Sequence, residues 1–237
     1  MPWQTSVRCS AAACALLLAA SCEIHQAETG PPHIEPVSIG LGDAERAHIQ
    51  LNLSAGELVV RGGATKLLEG QFEYSVAAWK PIVDQSGNGA DVDVTIRQPH
   101  GGGGFGNTRN RWDLELNDKV LLDFTLDCGA GQTRLEMGDL NLQRIAVHMG
   151  AGQVDLDLRG QPSHDYDVTL AGGVGQATVR IPHNLGVRAE AHGGIGHVEV
   201  TGLNKRGDYY ENSLYGASKA NLRLKVEGGI GEIRIIG

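Results

Sequence analysis

Residues 119–136 read KVLLDFTLDCGAGQTRLE, and the pattern they set recurs to the end of the chain. Apolar residues alternate on one arm through Phe124 and Leu126, a Gly129-Ala130-Gly131 corner follows, and alternation resumes with Thr133 and Leu135. The corner returns as Gly150-Ala151-Gly152, Gly173-Val174-Gly175, Gly194-Ile195-Gly196 and Gly229-Ile230-Gly231. Successive first glycines lie 21, 23, 21 and 35 residues apart (150−129, 173−150, 194−173, 229−194). Alternation with period 2 on both arms, shifted in parity at the corner, describes two strands meeting at a bend. A unit of this kind repeated at a near-constant spacing describes a stack in which each copy buries its apolar side against the next. Glycine supplies the positive φ that a tight corner needs. The fold class that follows is all-β: a glycine-rich β-solenoid, a parallel β-helix-like stack of about 21-residue units, with an N-terminal β cap.

Aligned on the first corner glycine, the units give columns that stacking sets side by side. Leu126, Val147, Leu170, Ala191 and Val226 stand three before it, and Phe124, Ile145, Val168, Ala189 and Leu224 five before. Thr133, Val154, Ala177, Val198 and Ile233 stand four after it, and Leu135, Leu156, Val179, Val200 and Ile235 six after. These columns are expected to face inward, and so are the middle corner residues Ala130, Ala151, Val174, Ile195 and Ile230. One polar column holds Glu57, Gln132, Gln153, Gln176, His197 and Glu232. Stacked amides form hydrogen-bonded ladders, and a ligand-binding stripe is the functional alternative. The outward columns mix signs, as in Asp123, Arg144, Asp167, Arg188 and Arg223, which is the make-up of a solvated face.

Glycine, at 34 of 237 residues, is about twice its usual share, and aromatic residues make up only 5%. Many short strands and tight corners fit this composition better than a helical core. The formal charge of −8 lacks the basic footprint that nucleic acid or anionic headgroups require.

Residues 1–21 read MPWQTSVRCSAAACALLLAAS: Arg8, a short apolar run, then small residues, the layout of a lipoprotein-type signal peptide. The run Leu18-Ala19-Ala20-Ser21-Cys22 resembles a bacterial lipobox, with Ala19 where leucine is commoner. That resemblance implies Cys22 as the lipidated first residue of the mature chain. Ordinary cleavage nearby is the alternative. Residues 22–45, with three prolines and little periodicity, are expected to form a flexible tether. Residues 46–118 are expected to form the N-terminal β cap region, and residues 119–237 the repeat solenoid. Within the cap, Ile49, Leu51 and Leu53 lead into Ser54-Ala55-Gly56, a degenerate sixth corner. The run Gly101-Gly102-Gly103-Gly104-Phe105-Gly106 lacks the Gly-Lys-Ser/Thr ending of a phosphate loop and reads as a loop.

Candidate chemistry is sparse. Cys128 sits in a small or apolar column (Met149, Gly172, Gly193, Gly228) and reads as a buried, inert thiol. Glu136 and Asp157 share a column in adjacent units, which suits the carboxylate separation of about 5 Å in retaining glycosidases. Arg180 follows them, so solvated alternation is the competing reading. His148 and His192 share a column two coils apart, about 10 Å, too far for one zinc, and His197 is the third histidine of this region. The insertion over residues 204–219 carries Tyr209, Tyr210 and Tyr215, which suit either a partner contact or a lid over the end of the stack. No catalytic residues, metal ligands or cofactors are expected.

The runs SAGELVVRGGATKLLEGQFEYSVAAWKP (54–81) and WDLELND (112–118), with the recurrent GAGQ and GGVGQ corners, resemble the bacterial toast-rack family. That family is related to the adhesin-type β-solenoids and to the C-terminal domain of Lia-type cell-wall-active antibiotic response proteins. The resemblance covers about residues 46–237. It implies a β-solenoid on the outer side of a membrane, with no established enzymatic activity in the family and with Lia-type relatives that regulate envelope-stress signalling. The expected function is a non-enzymatic, lipid-anchored cell-envelope protein, a binding or regulatory and structural module. It would be held to a membrane through Cys22, face the periplasm or exterior, and meet an envelope protein or cell-wall partner. A carbohydrate-active enzyme on a solenoid scaffold is the alternative.

Overall fold

The computed structural model describes residues 29–99 and 108–237. Its strands, in chain order, are β1 (Thr29–Ile39), β2 (Arg46–Gly62), β3 (Leu68–Val76), β4 (Ile82–Asn88), β5 (Asp91–Arg97), β6 (Asn110–Leu116) and β7 (Leu121–Glu136). There follow β8 (Leu142–Asp157), β9 (Tyr166–Arg180), β10 (Gly186–Thr201), β11 (Asn204–Arg206), β12 (Tyr209–Glu211) and β13 (Asn221–Ile236). They form one 13-stranded sheet in the order β1-β3-β6-β2-β7-β8-β9-β13-β10-β12-β11, with β4 and β5 paired beside β2.

Each repeat is one long strand bent at its corner. β2, β7, β8, β9, β13 and β10 lie parallel and in register, corner on corner. Short links close each coil, and they also stack: Met137 N–H donates to Asp157 O, Leu158 N–H to Arg180 O, and Ile181 N–H to Ile236 O. Met137, Leu158 and Ile181 therefore join the same buried core as Phe124, Ile145 and Val168. Burying such columns removes each side chain from water, a gain of about 1.5–3 kcal/mol per large apolar residue.

The corner glycines serve two different needs. The second of each pair has positive φ, from 136° at Gly152 to 152° at Gly56. The first, as at Gly150 or Gly229, lies so close to the coil beneath that a Cβ would overlap that coil's first-glycine carbonyl. All these Cβ directions point toward the β2 end. Ser54 has no glycine at this position because β2 is the first coil, and its outer edge is paired only on either side of the corner, by β5 and β6. The degenerate sixth corner is thus a full member of the stack.

Three expectations need correction. The middle corner residues do not face inward: Val174, Ile195 and Ile230 are 53, 71 and 52% exposed. The second glycine makes the turn, so the residue before it sits on the convex outside of the bend. The stack also does not follow chain order, since β13 lies between β9 and β10. This arrangement puts the larger inward residues of β13 (Leu224, Val226, Ile233, Ile235) in the interior and leaves the half-buried Ala191, Val198 and Val200 of β10 at the end. Finally, residues 29–39 of the expected tether form β1, antiparallel to β3. Glu35, Val37 and Ile39 turn inward in alternation while Pro36 points out. β1 tolerates its prolines because it is an edge strand, where a missing N–H costs no ladder bond on the open side.

Candidate functional site

The two ends of the stack differ. At the first end, β1, β3 and β6 cover the sheet, with the Trp112 and Phe72 rings packed edge to face at 5.3 Å. At the other end, β10 is the last full coil, and only the β11–β12 hairpin lies beyond it. β12 pairs antiparallel with β10 at just two positions, Arg188 with Glu211 and Ala189 with Tyr210.

Arg188 organises this lid. Its guanidinium carbon lies 4.6 Å from the Tyr209 ring centre and 4.2 Å from that of Tyr215, and Nη2 donates to Glu211 Oε2 at 3.1 Å. Glu211 and the two phenol rings hold the guanidinium above its ordinary range of protonation. Tyr210 packs against the core, with Lys205 Nζ 5.7 Å from its ring. Asn212 fastens the loop behind: Oδ1 accepts from Val187 N–H at 3.1 Å, and Nδ2 donates to Leu185 O at 2.8 Å. All three tyrosines are half-buried in this arrangement. Arg188 itself was legible only as one more charge in an outward column.

The remaining sequence candidates separate in space. Glu136 and Asp157 are register neighbours, as their shared column implied. Both Asp157 oxygens accept from Arg159, which holds the carboxyl below the usual range. A glycosidase acid needs the opposite, a carboxyl that keeps its proton. His148 and His192 are three coils apart, about 14 Å, because β13 intervenes. His148 Nδ1 instead meets Asp127 Oδ1 at 3.0 Å, and His192 pairs in register with Glu227. Among the described residues no cluster of His, Cys, Asp and Glu suits a metal ion. Cys128 is buried, and burial pushes its thiol up.

The column of Glu57, Gln132, Gln153, Gln176, Glu232 and His197 is in register, half-buried at Glu232 and exposed at the other five. An amide ladder does not form there. Among the described residues its one internal side-chain bond runs from Gln176 Nε2 to Glu232 Oε2, at 3.5 Å. Exposed amides exchange such bonds with water at little cost. The outward faces carry ion pairs between coils, such as Arg223 with Asp165 and Asp167, and Arg180 with Asp155. Like the sequence columns, they leave no groove of a single charge. Cys22 and the glycine run 101–106 lie outside the described residues.

A bent-strand β-solenoid, capped at one end and lidded at the other, is the class that fold and site define. The chain belongs to the toast-rack family: the model for the N-terminal domain of toast_rack matches residues 28–180. The model for the C-terminal region of the cell wall-active antibiotics response protein LiaF matches residues 129–235. A solved structure from Clostridium sporogenes, named for cell adhesion, is 35% identical with a TM-score of 0.83, over 86% of this chain and 98% of that one. An adhesin-named structure from Bacteroides fragilis, 9% identical, covers 89% of this chain and 99% of its own with a TM-score of 0.24. No curated protein matches the chain. Neither matched family is named for an enzyme. No described helix is long and apolar enough to cross a membrane.

Proposed function

We propose that this protein is a non-enzymatic cell-envelope module, anchored by lipid at Cys22, that holds the lidded end of its solenoid away from the membrane toward a protein or cell-wall partner. The observation that carries this reading is the polarity of the stack. β1, the strand next to the lipobox-like segment, is at one edge of the sheet, and β10 with its hairpin is at the other. From β2 to β10 there are five coil steps, about 24 Å at 4.8 Å each. An anchor ahead of β1 therefore sets the membrane near the capped end.

The relatives support the setting, since one matched model is named for a response to cell-wall-active antibiotics and one structure for adhesion. The Arg159 guanidinium, which holds the Asp157 carboxyl below the usual range, weighs against that carboxyl serving as the acid of glycan cleavage. Fractionation of cells expressing the chain tests the anchoring. The unsubstituted chain is expected in the membrane fraction and the Cys22→Ala variant in the soluble one. Equal partition of the two would remove the anchor from the account.

A further inference from the structure

We infer that two copies of this chain associate end to end through their β10 coils, as an antiparallel pair about a two-fold axis, so that the protein partner of the lidded end is a second copy and each β1 end lies at an outer end of the pair. β10 is paired along its whole length with β13 on one side. On the other side β12 takes only Arg188 and Ala189, so residues 190–201 present an uncovered strand edge. Inside that edge the core is unfinished, with Ala191, Val198 and Val200 only half-buried. Solenoid ends need a cap, and unpaired strand edges recruit other strands. β12 shows that this edge accepts a strand in the antiparallel sense.

The uncovered segment points to a second copy as its occupant. Residues 190–201 are centred between Ile195 and Gly196, at the corner itself. A two-fold axis along the bisector of the bend maps each arm of β10 onto the other arm of its partner, so both bends coincide. The pairing then sets Ala191 opposite the partner's Val200 and Gly193 opposite the partner's Val198, which keeps the inward columns inward. It sets His192 opposite the partner's Glu199, and Glu190 opposite the partner's Thr201, with no like charges facing one another. The lids flank the paired segment and end where it begins.

Head-to-tail growth finds no bent coil edge to match β10, since among the described residues the opposite end presents only the separate, straight edges of β1 and β4. The opposite end is covered by β1, β3 and β6, and the outer edge of β2 is held by β5 and β6 on both arms. Closed two-fold pairing is also the commonest symmetry of homo-oligomers. The exposed Ile195 lies on the axis, beside Ile230 and Val174 of the neighbouring coils.

The test uses the full chain extracted from membranes in detergent. A His192→Cys/Glu199→Cys variant is oxidised and run without reductant, beside both single variants and the unsubstituted chain. Directly opposed residues come within disulfide range, with Cα atoms about 5.5 Å apart, whereas each single cysteine lies seven positions from its own copy. A covalent dimer in the double variant alone is the expected result. Cross-linking in the single variants, or a double variant that stays monomeric, would overturn the pairing. Light scattering on the unsubstituted chain provides a measurement independent of the variants' folding. Twice the monomer mass is expected, and a monomer or a ladder of larger species would overturn the proposal.

Discussion

Gly231 stacks on Gly175 with no room for a side chain: a Cβ built on Gly231 would overlap the Gly175 carbonyl oxygen, at a φ of 141°. The same relation joins Gly175 to Gly152 and Gly152 to Gly131. Gly172, in the adjoining column, differs, since nothing lies within 4 Å of its Cβ position. It borders an apolar hollow of about 40 Å³ lined in part by Met149, Leu170 and Ala177. Gly175→Ala is therefore expected to cost about 3 kcal/mol or more in denaturant unfolding, from strain and overlap together. Gly172→Ala is expected to be neutral or stabilising by up to about 1 kcal/mol. Equal losses would show that the corners are not packed as described.

The Arg188 clamp predicts a local effect. Removing either Tyr209 or Tyr215 takes away one cation–π face, worth about 0.5–2 kcal/mol in partly buried settings. Tyr209→Ala and Tyr215→Ala should each speed amide hydrogen exchange over β11, β12 and the first arm of β10. The β2–β7 coils should remain protected. Uniform loss of protection would mean that the lid holds the whole stack together.

Acid dependence follows from Glu35. Lys80 and then Tyr74 hold its carboxylate below the usual range through hydrogen bonds, with Lys80 Nζ at 2.8 Å. A depressed folded value contributes stability that is fully present above the unfolded pKa of about 4.3. That stability is lost as pH falls through the lower folded value. Glu35→Gln should therefore flatten the fall in stability below about pH 4 and lower stability slightly at neutral pH, since both partners are partly solvated. An unchanged pH profile would remove this contact between β1 and the cap from the account.

Thiol chemistry gives a fourth check. With its thiol buried and pushed up, Cys128 should resist iodoacetamide in the native chain and react after denaturation. Rapid native labelling at Cys128 would contradict the packing of the first arm of β7.

Much of this fold was legible because backbone crowding at a corner leaves glycine as the residue that fits, and the glycines recur visibly. Ser54 was readable as a degenerate corner for the same reason, although why it is tolerated depends on what pairs with β2. The order of the coils was hidden. Every coil writes the same inward chemistry, so Leu170 meets Val226 as readily as it would meet Ala191, and spacing alone does not say which neighbour it takes. Ile195 and Ile230 read as core because they are apolar, yet the turn at the following glycine carries them outward. β1 was obscured by its prolines, and Arg188 by looking like any surface charge until Tyr209 and Tyr215 closed on it.

The central claim, a module held to the membrane ahead of β1, is tested most directly by the mass of the N-terminal proteolytic fragment of the mature chain. The account predicts a fragment that begins at Cys22 and carries the added mass of acyl chains. A fragment beginning elsewhere, or an unmodified Cys22, would contradict it.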